Sequence, residues 1–177
     1  MALRNILTEG EPSLEKRSRP ITEFNERLHI LLDDMRETLE NAGGVGLAAP
    51  QVGVLRRAVL VLETNVAEGE EEFIIELINP EIVEVDGEQY GPEGCLSVPG
   101  VFGMVKRPER VKVKAQDRYG NFFEIEGEGL TARAFCHEID HLEGKLFLSL
   151  ADRLLSPEEL ASLSEDESET DSESEED

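Results

Sequence analysis

Five segments rich in β-branched and apolar residues lie between Arg57 and Glu128, with one helix-patterned segment on each side, and that order leaves few architectures open. "RAVLVLET" opens the series. "EFIIELINPEIVEVDGEQ" supplies two more strands, with Asp86-Gly87 as a turn. "VKVKAQD" and "FFEIEGE" flank "RYGN", which reads as a hairpin around Gly120-Asn121. Before them, residues 21 to 42 place Phe24, Leu28, Leu31, Leu32, Met35 and Leu39 at three- and four-residue spacing, which predicts an amphipathic helix ended by Gly43 and Gly44. After them, "LTARAFCHEIDHLEG" reads as a second helix that stops near Gly144. Consecutive strands joined by short turns pair antiparallel, so the expected class is α+β with mainly antiparallel sheet. At 177 residues and 39% hydrophobic content, one soluble domain with a substantial core is expected.

The charge balance narrows the functions open to such a chain. Net charge is −23, and nine of the 40 carboxylates lie between Ser164 and Asp177, where no basic residue occurs. The rest of the chain is acidic too, so binding nucleic acid by neutralising phosphates is not expected. That final segment has no apolar side chains to bury, and disorder is expected beyond Ser164. Just before it, Ser156, Pro157 and Glu159 form the start signal of a short helix, with Ser156 as cap and Glu159 closing a capping box. No apolar run reaches the roughly 20 residues that span a bilayer. The first twenty residues lack the apolar stretch of a secretory signal. Two cysteines are too few for a disulfide framework. A reducing cytoplasm is therefore the expected setting.

Histidine is scarce, yet two of the three stand four residues apart in "CHEIDHLEG". On a helix His137 and His141 share a face, so both imidazoles can reach one metal ion. Glu138 is rotated by about 100° and can still reach a water in an open coordination position. Two nitrogen ligands beside a general base make the H-E-x-x-H arrangement of metal-assisted hydrolysis. The third ligand is not given by this motif. An extended H-x-x-G-x-x-H site is excluded, because Phe147 stands where its last histidine would be. Glu158 or Glu159 downstream could serve, though acidic residues at a helix start have a capping role anyway. Cys95 upstream, in the glycine-rich loop "GPEGCLSVPG", could instead give a Cys/His/His set with one position left for water. Taken alone, Cys95 is equally readable as a small buried hydrophobe. Cys136 adjoins His137, points off the ligand face and reads as core. His29 has no partner spacing and reads as structural.

Three segments, in order, then carry a family likeness. "GVGLAAPQ" (Gly44 to Gln51), "EGCLS" (Glu93 to Ser97) and "HEIDH" (His137 to His141) resemble the three signature motifs of the peptide deformylase family, and the likeness extends over about residues 1 to 152. The resemblance implies a fold of antiparallel sheets packed around a central helix that carries the HExxH motif. It implies that Cys95, His137 and His141 hold one divalent metal, that Glu138 is the general base and then the acid, and that the Gln51 amide and the Leu96 backbone N–H stabilise the developing oxyanion. Ferrous iron is the expected ion, with zinc or nickel also able to occupy the site. The implied substrate is the N-formylmethionyl end of a new polypeptide, and formate is a product.

An apolar pocket must then receive the methionine side chain. Val45, Leu96 and Ala134 are the candidates for its walls, while Gly46 and Gly94 allow close approach of backbone to an extended peptide. Glu93 and Arg107 are expected, on the family pattern, to pair and fix the cysteine loop. Asp140 is either a support for a ligand histidine or an ordinary exposed helix residue. Two features depart from the family pattern. Val101, Phe102 and Met104 replace a basic residue that some members carry near the groove mouth, which predicts a more apolar rim. The acidic end stands where some members have a basic ribosome-docking helix, so any ribosomal contact is expected on a basic protein rather than on RNA; a solubility tail without a partner is the simpler reading. Residues 1–155 are thus expected to form the deformylase domain, and 156–177 a short helix with an acidic disordered tail. The alternatives are a zinc endopeptidase with a ligand other than Cys95, and a binding module that keeps the fold.

Overall fold

A computed structural model describes residues 2–173. The elements follow the order helix α1 (Glu26–Ala42), strands β1 (Gly46–Ala48), β2 (Ala58–Glu63), β3 (Phe73–Asp86), β4 (Gln89–Cys95), β5 (Val98–Arg107), β6 (Arg110–Gln116) and β7 (Phe122–Glu128), helix α2 (Leu130–Leu142), strand β8 (Arg153–Leu154) and helix α3 (Pro157–Glu173). Two sheets form. One has five strands in the order β1-β2-β3-β6-β7, the other three in the order β4-β5-β8. All strand pairs are antiparallel. The expected α+β architecture is present. No helix among the described residues is long and apolar enough to cross a membrane.

Strand β2 explains how the layers stack. Its residues alternate between two cores because successive side chains point to opposite faces. Val59 and Val61 meet Phe135 and Leu142 of α2, whereas Ala58 and Leu60 meet Leu31, Leu32, Met35 and Leu39 of α1. The five-stranded sheet therefore carries α1 on one face and α2 on the other. The small sheet covers the far side of α2, where Val98, Val105 and Phe147 form a third cluster that includes Cys95. Ten of the 13 residues of α2 are buried as a result.

Several local differences from the sequence reading have clear causes. Helix α1 starts at Glu26 rather than near residue 21, because Asn25 adopts an extended backbone and its side chain accepts the Leu28 N–H as an N-cap. Gly43 closes this helix with φ of 70°, a left-handed conformation that glycine adopts without steric cost. Strand β3 runs straight through Asn79-Pro80, with a register shift there. Asn79 tolerates its positive φ because its side chain bonds both backbone groups of Ile21 and the Gln116 amide. The cysteine segment is less of a loop than expected: Cys95 ends β4 at a tight turn into β5. The Ser156–Glu159 capping box is present, but α3 runs on to Glu173, past Ser164 where disorder was expected. Residues 174–177 of that acidic end lie outside the described residues.

Candidate metal centre

Burying ten residues of a 13-residue helix brings its polar side chains into the interior, and each then needs a partner. Arg133, His137, Glu138 and His141 all lie on α2 and are all buried. Arg133, His137 and His141 face the β4–β5 hairpin, which answers with Glu93 and Cys95, whereas Glu138 lies against Gly46 of β1. The Cys95 Sγ and the ligand nitrogens of His137 and His141 lie within 4.8 Å of one another. From Cys95 Sγ to His141 Nε2 the distance is 3.4 Å. A tetrahedral ion with bonds of about 2.3 Å to sulfur and about 2.0 Å to nitrogen sets that edge at about 3.6 Å. Glu158 and Glu159 are remote from this cluster: Glu159 pairs with Arg153 and caps Ser156. Cys95 is thus the third member of the set, and the other candidates fall away.

A network built around Glu93 fixes the orientation of the ligands. His137 Nδ1–H donates to Glu93 Oε2 at 2.8 Å, which leaves Nε2 as the ligand atom. Arg107 grips Glu93 through two hydrogen bonds of 3.0 and 2.6 Å, and Arg133 adds a third at 2.9 Å. Burial alone would raise the Glu93 carboxyl; hydrogen bonds from His137 and Arg107 overcome it and hold the pKa near about 2. The expected Glu93–Arg107 pair is therefore present, and it is buried rather than solvated. Asp140 accepts from Arg107 at 2.7 Å and so braces the network at one remove from the histidines. Phe147 stacks on the His137 ring at a centroid distance of 6.1 Å.

The electrostatics suit a cation. Burial opposes charge on His137, yet hydrogen bonds to Cys95 and Glu93 raise its pKa to about 10 in the metal-free chain. Burial and neighbouring His137 push His141 down to about 3, so this ring stays neutral as a ligand requires. The surroundings of His137 thus favour positive charge where a divalent ion would sit. Burial lifts Glu138 to about 7, and its Oε2 is enclosed with no hydrogen-bond partner among the described residues. Gly46 passes directly over this carboxylate: a Cβ there would sit 2.6 Å from Glu138 Oε1, so any side chain would displace the carboxylate. The donor set, the enclosed carboxylate and the stabilised positive charge fit one divalent metal.

A cleft of about 470 Å³ opens beside Cys95, His137 and Glu138. Val45, Gly46, Gly94, Leu96 and Ala134, the residues expected to contact a substrate, all line it. Phe102 does too, lying flat over Gly94. The other two rim candidates do not: Val101 packs with the cluster under the small sheet, and Met104 pairs with Arg153 of β8. Gln51 lies just behind the cleft. Its carbonyl accepts the Ala48 N–H, and its amide donates to Ser97 Oγ at 3.0 Å and approaches Cys95 Sγ at 3.6 Å. Cys136 belongs to the apolar core, and burial pushes its thiol up to about 11, so it is not a ligand. His29 bonds the Arg118 carbonyl at 2.9 Å, a structural contact. Sequence reasoning passed over Arg133, Ser97 and Phe147. Arg133 was within reach, since it stands four residues before His137 on the same helical face.

Two imidazoles, a cysteine sulfur, a buried carboxylate and an apolar cleft define a metal-dependent hydrolase of the HExxH kind. Known proteins agree. A profile of the Polypeptide deformylase family matches residues 3–156. A peptide deformylase of Caldanaerobacter subterraneus subsp. tengcongensis is 56% identical over 165 residues, covering 93% of this chain and 99% of that protein. One from Lachnoclostridium phytofermentans is 58% identical over 148 residues, covering 84% and 88%. The crystal structure of peptide deformylase from Thermotoga maritima superposes with a TM-score of 0.78 at 40% identity, covering 86% of this chain and 99% of that one. The Met-Ala-Ser-bound structure of a class I type b peptide deformylase from Acinetobacter baumannii gives 0.77 at 35% identity, covering 84% and 98%. The chain belongs to the polypeptide deformylase family.

Proposed function

We propose that this chain hydrolyses the N-terminal formyl group of newly made polypeptides that begin with formylmethionine, releasing formate and a free amine. The observation that carries this reading is the Cys95/His137/His141 set, its two histidines buried and its cysteine half-buried, beside a carboxylate with one unpartnered oxygen at an apolar cleft. Cys95, His137 and His141 would hold the ion, for which we assign ferrous iron on the family likeness; the same donors suit zinc or nickel. The bound ion supplies Lewis acidity at the formyl group and acidifies a water. Glu138 accepts the proton from the attacking water and returns it to the departing amine. The Gln51 amide, 3.6 Å from Cys95 Sγ, and the N–H of Leu96, the next residue after Cys95, receive the negative charge that grows on the formyl oxygen. The Gln51 amide must then share a hydrogen now directed at Ser97 and Cys95.

Val45, Leu96, Phe102 and Ala134 give the methionine side chain an apolar seat, and the Gly44–Gly46 and Gly94 backbones run beside it. The Met-Ala-Ser ligand of the Acinetobacter baumannii structure has the composition that such a groove would release as product. We assign the activity to residues 1–155, and a reducing, cytoplasmic setting in which the Cys95 thiolate persists. We assign no DNA or membrane partner, and no RNA-docking role to the acidic end. Anaerobic purification with metal analysis, followed by a formate-release assay on formyl-Met-Ala-Ser, tests the proposal. One equivalent of iron and formate release support it. Cleavage of internal amide bonds without formate release would replace it with the endopeptidase reading.

A further inference from the structure

A second cavity of about 660 Å³ exceeds the 470 Å³ cleft beside Cys95. It lies at the opposite end of α1. Asn25, Leu28 and Leu31 at the start of that helix line it, whereas Gly43 and Gly44, past the helix end, line the metal-site cleft. At about 1.5 Å per residue, α1 sets the two roughly 25 Å apart.

Four arginines border this second cavity: Arg4, Arg19, Arg27 and Arg56. The Arg4 guanidinium is bonded to Asp34. Arg19, Arg27 and Arg56 are exposed, and among the described residues none of the three has a carboxylate partner. In a chain with 40 carboxylates against 17 lysines and arginines, three unpaired guanidinium groups around one hollow run against the overall charge balance. Arg19 and Arg56 are paired across an isolated parallel bridge, which directs their side chains to the same side. Two like charges so placed repel, and an anion seated between them removes the repulsion. The only acidic residue on the border is Glu23, which accepts from the Asn25 amide at 3.4 Å. Between the arginines, Pro20, Ile21, Leu28, Leu31 and Val54 give an apolar stretch of wall beside the polar Thr22 and Asn25.

We propose that this cavity binds a small phosphorylated molecule with an apolar or aromatic body, of about nucleotide size. Guanidinium forks match phosphate oxygens two at a time. The cavity falls within the roughly 300–1,000 Å³ typical of small-ligand sites. The apolar wall gives the non-phosphate portion somewhere to lie. A compact anion is favoured over RNA, because an extended polyanion would leave the basic patch and meet a chain of net charge −23.

The test titrates the full metal-loaded chain with ATP, inorganic pyrophosphate, inorganic phosphate and an RNA 20-mer, followed by calorimetry and by backbone amide shifts. The expected result is saturable binding of ATP at one per chain, with shifts at Ile21, Leu28 and Val54. Arg19→Gln with Arg56→Gln should weaken it at least tenfold, as should Arg27→Gln, with formate release from a formyl peptide unchanged. Amide shifts confined to Gly44 and Cys95 would mean that ATP only meets the metal, and would overturn the site. Equal affinity for ATP and pyrophosphate would overturn the role of the apolar wall. Tighter binding of the RNA through the same arginines would overturn the small-molecule assignment, and no saturable binding of any probe would overturn the proposal entirely.

Discussion

The two sides of α2 are buried by different means. Toward the five-stranded sheet it presents Ala132, Phe135, Cys136 and Leu142, which meet Val59, Val61, Val111 and Val113. Toward the small sheet it presents Arg133, His137 and His141, which meet Glu93 and Cys95, while Glu138 lies beneath the Gly46 backbone of β1. On the first side, contact area does the stabilising, at about 25 cal/mol per Å². On the second, each group depends on a particular partner, and a missing partner leaves a buried charge. The difference teaches that one helix can be tolerant on one face and intolerant on the other, and that the intolerant face is where the chemistry lies.

Substitutions can break that comparison, and the largest effect is expected at the polar face. Glu138→Ala should lower turnover by about 10²–10⁴-fold with metal content near normal, measured by formate release and metal analysis; retained turnover would remove the assigned base. Cys95→Ser should go further and abolish tight metal binding, whereas a zinc endopeptidase using another ligand would keep its ion. On the apolar face, Phe135→Ala should cost about 3–5 kcal/mol of stability by denaturant unfolding, with the activity of the remaining folded protein little changed. A loss of turnover per folded molecule would show that the two faces are not independent.

Arg107→Ala tests the seam between the faces. It frees Glu93 and Asp140 inside the protein, so about 3 kcal/mol of destabilisation and a roughly 10–100-fold loss of metal affinity are expected together. The smallest effect concerns a carboxylate away from α2. Asp34 accepts from the Ala2 N–H and from Arg4, and although burial works against its charge, these contacts hold its pKa below 3.8. A depressed carboxylate adds stability above its ordinary pKa and loses it as pH falls through the folded value. The Ala2 amide and Arg4 Nε–H signals should therefore shift only as the pH falls below the ordinary carboxylate range, and Asp34→Asn should erase that acid transition without altering turnover at neutral pH.

How much of this was legible in the sequence follows the same division. Periodicity located α1, α2 and most strands, because apolar faces leave a repeating pattern. The pair His137 and His141 was legible because helical spacing alone puts them on one face. Spacing alone left Cys95 as one candidate among others and only the family likeness chose it: 46 positions separate it from His141, and the packing of the β4–β5 hairpin against α2 brings its sulfur to 3.4 Å from that ring. The Glu93–Arg107 pair was expected on the family likeness, but the convergence of Arg133 and His137 on the same carboxylate was not, since nothing in the local pattern links a glutamate of a strand to donors on a helix 40 or 44 residues later. Strands β4 and β5 were read as a loop because their glycines and prolines mask the alternation.

The placement of Gly46 against Glu138 bears on how this scaffold can change over time. The Glu138 carboxylate has a backbone for a lid, with no side chain between them to trade for another. New substrate preferences must therefore arise at Phe102, Leu130 or Val45, around the edge of the cleft, while the centre stays as it is. A designer transplanting this chemistry would have to carry over a strand, a hairpin and a helix as one unit, because none of the three holds the reactive groups in place alone.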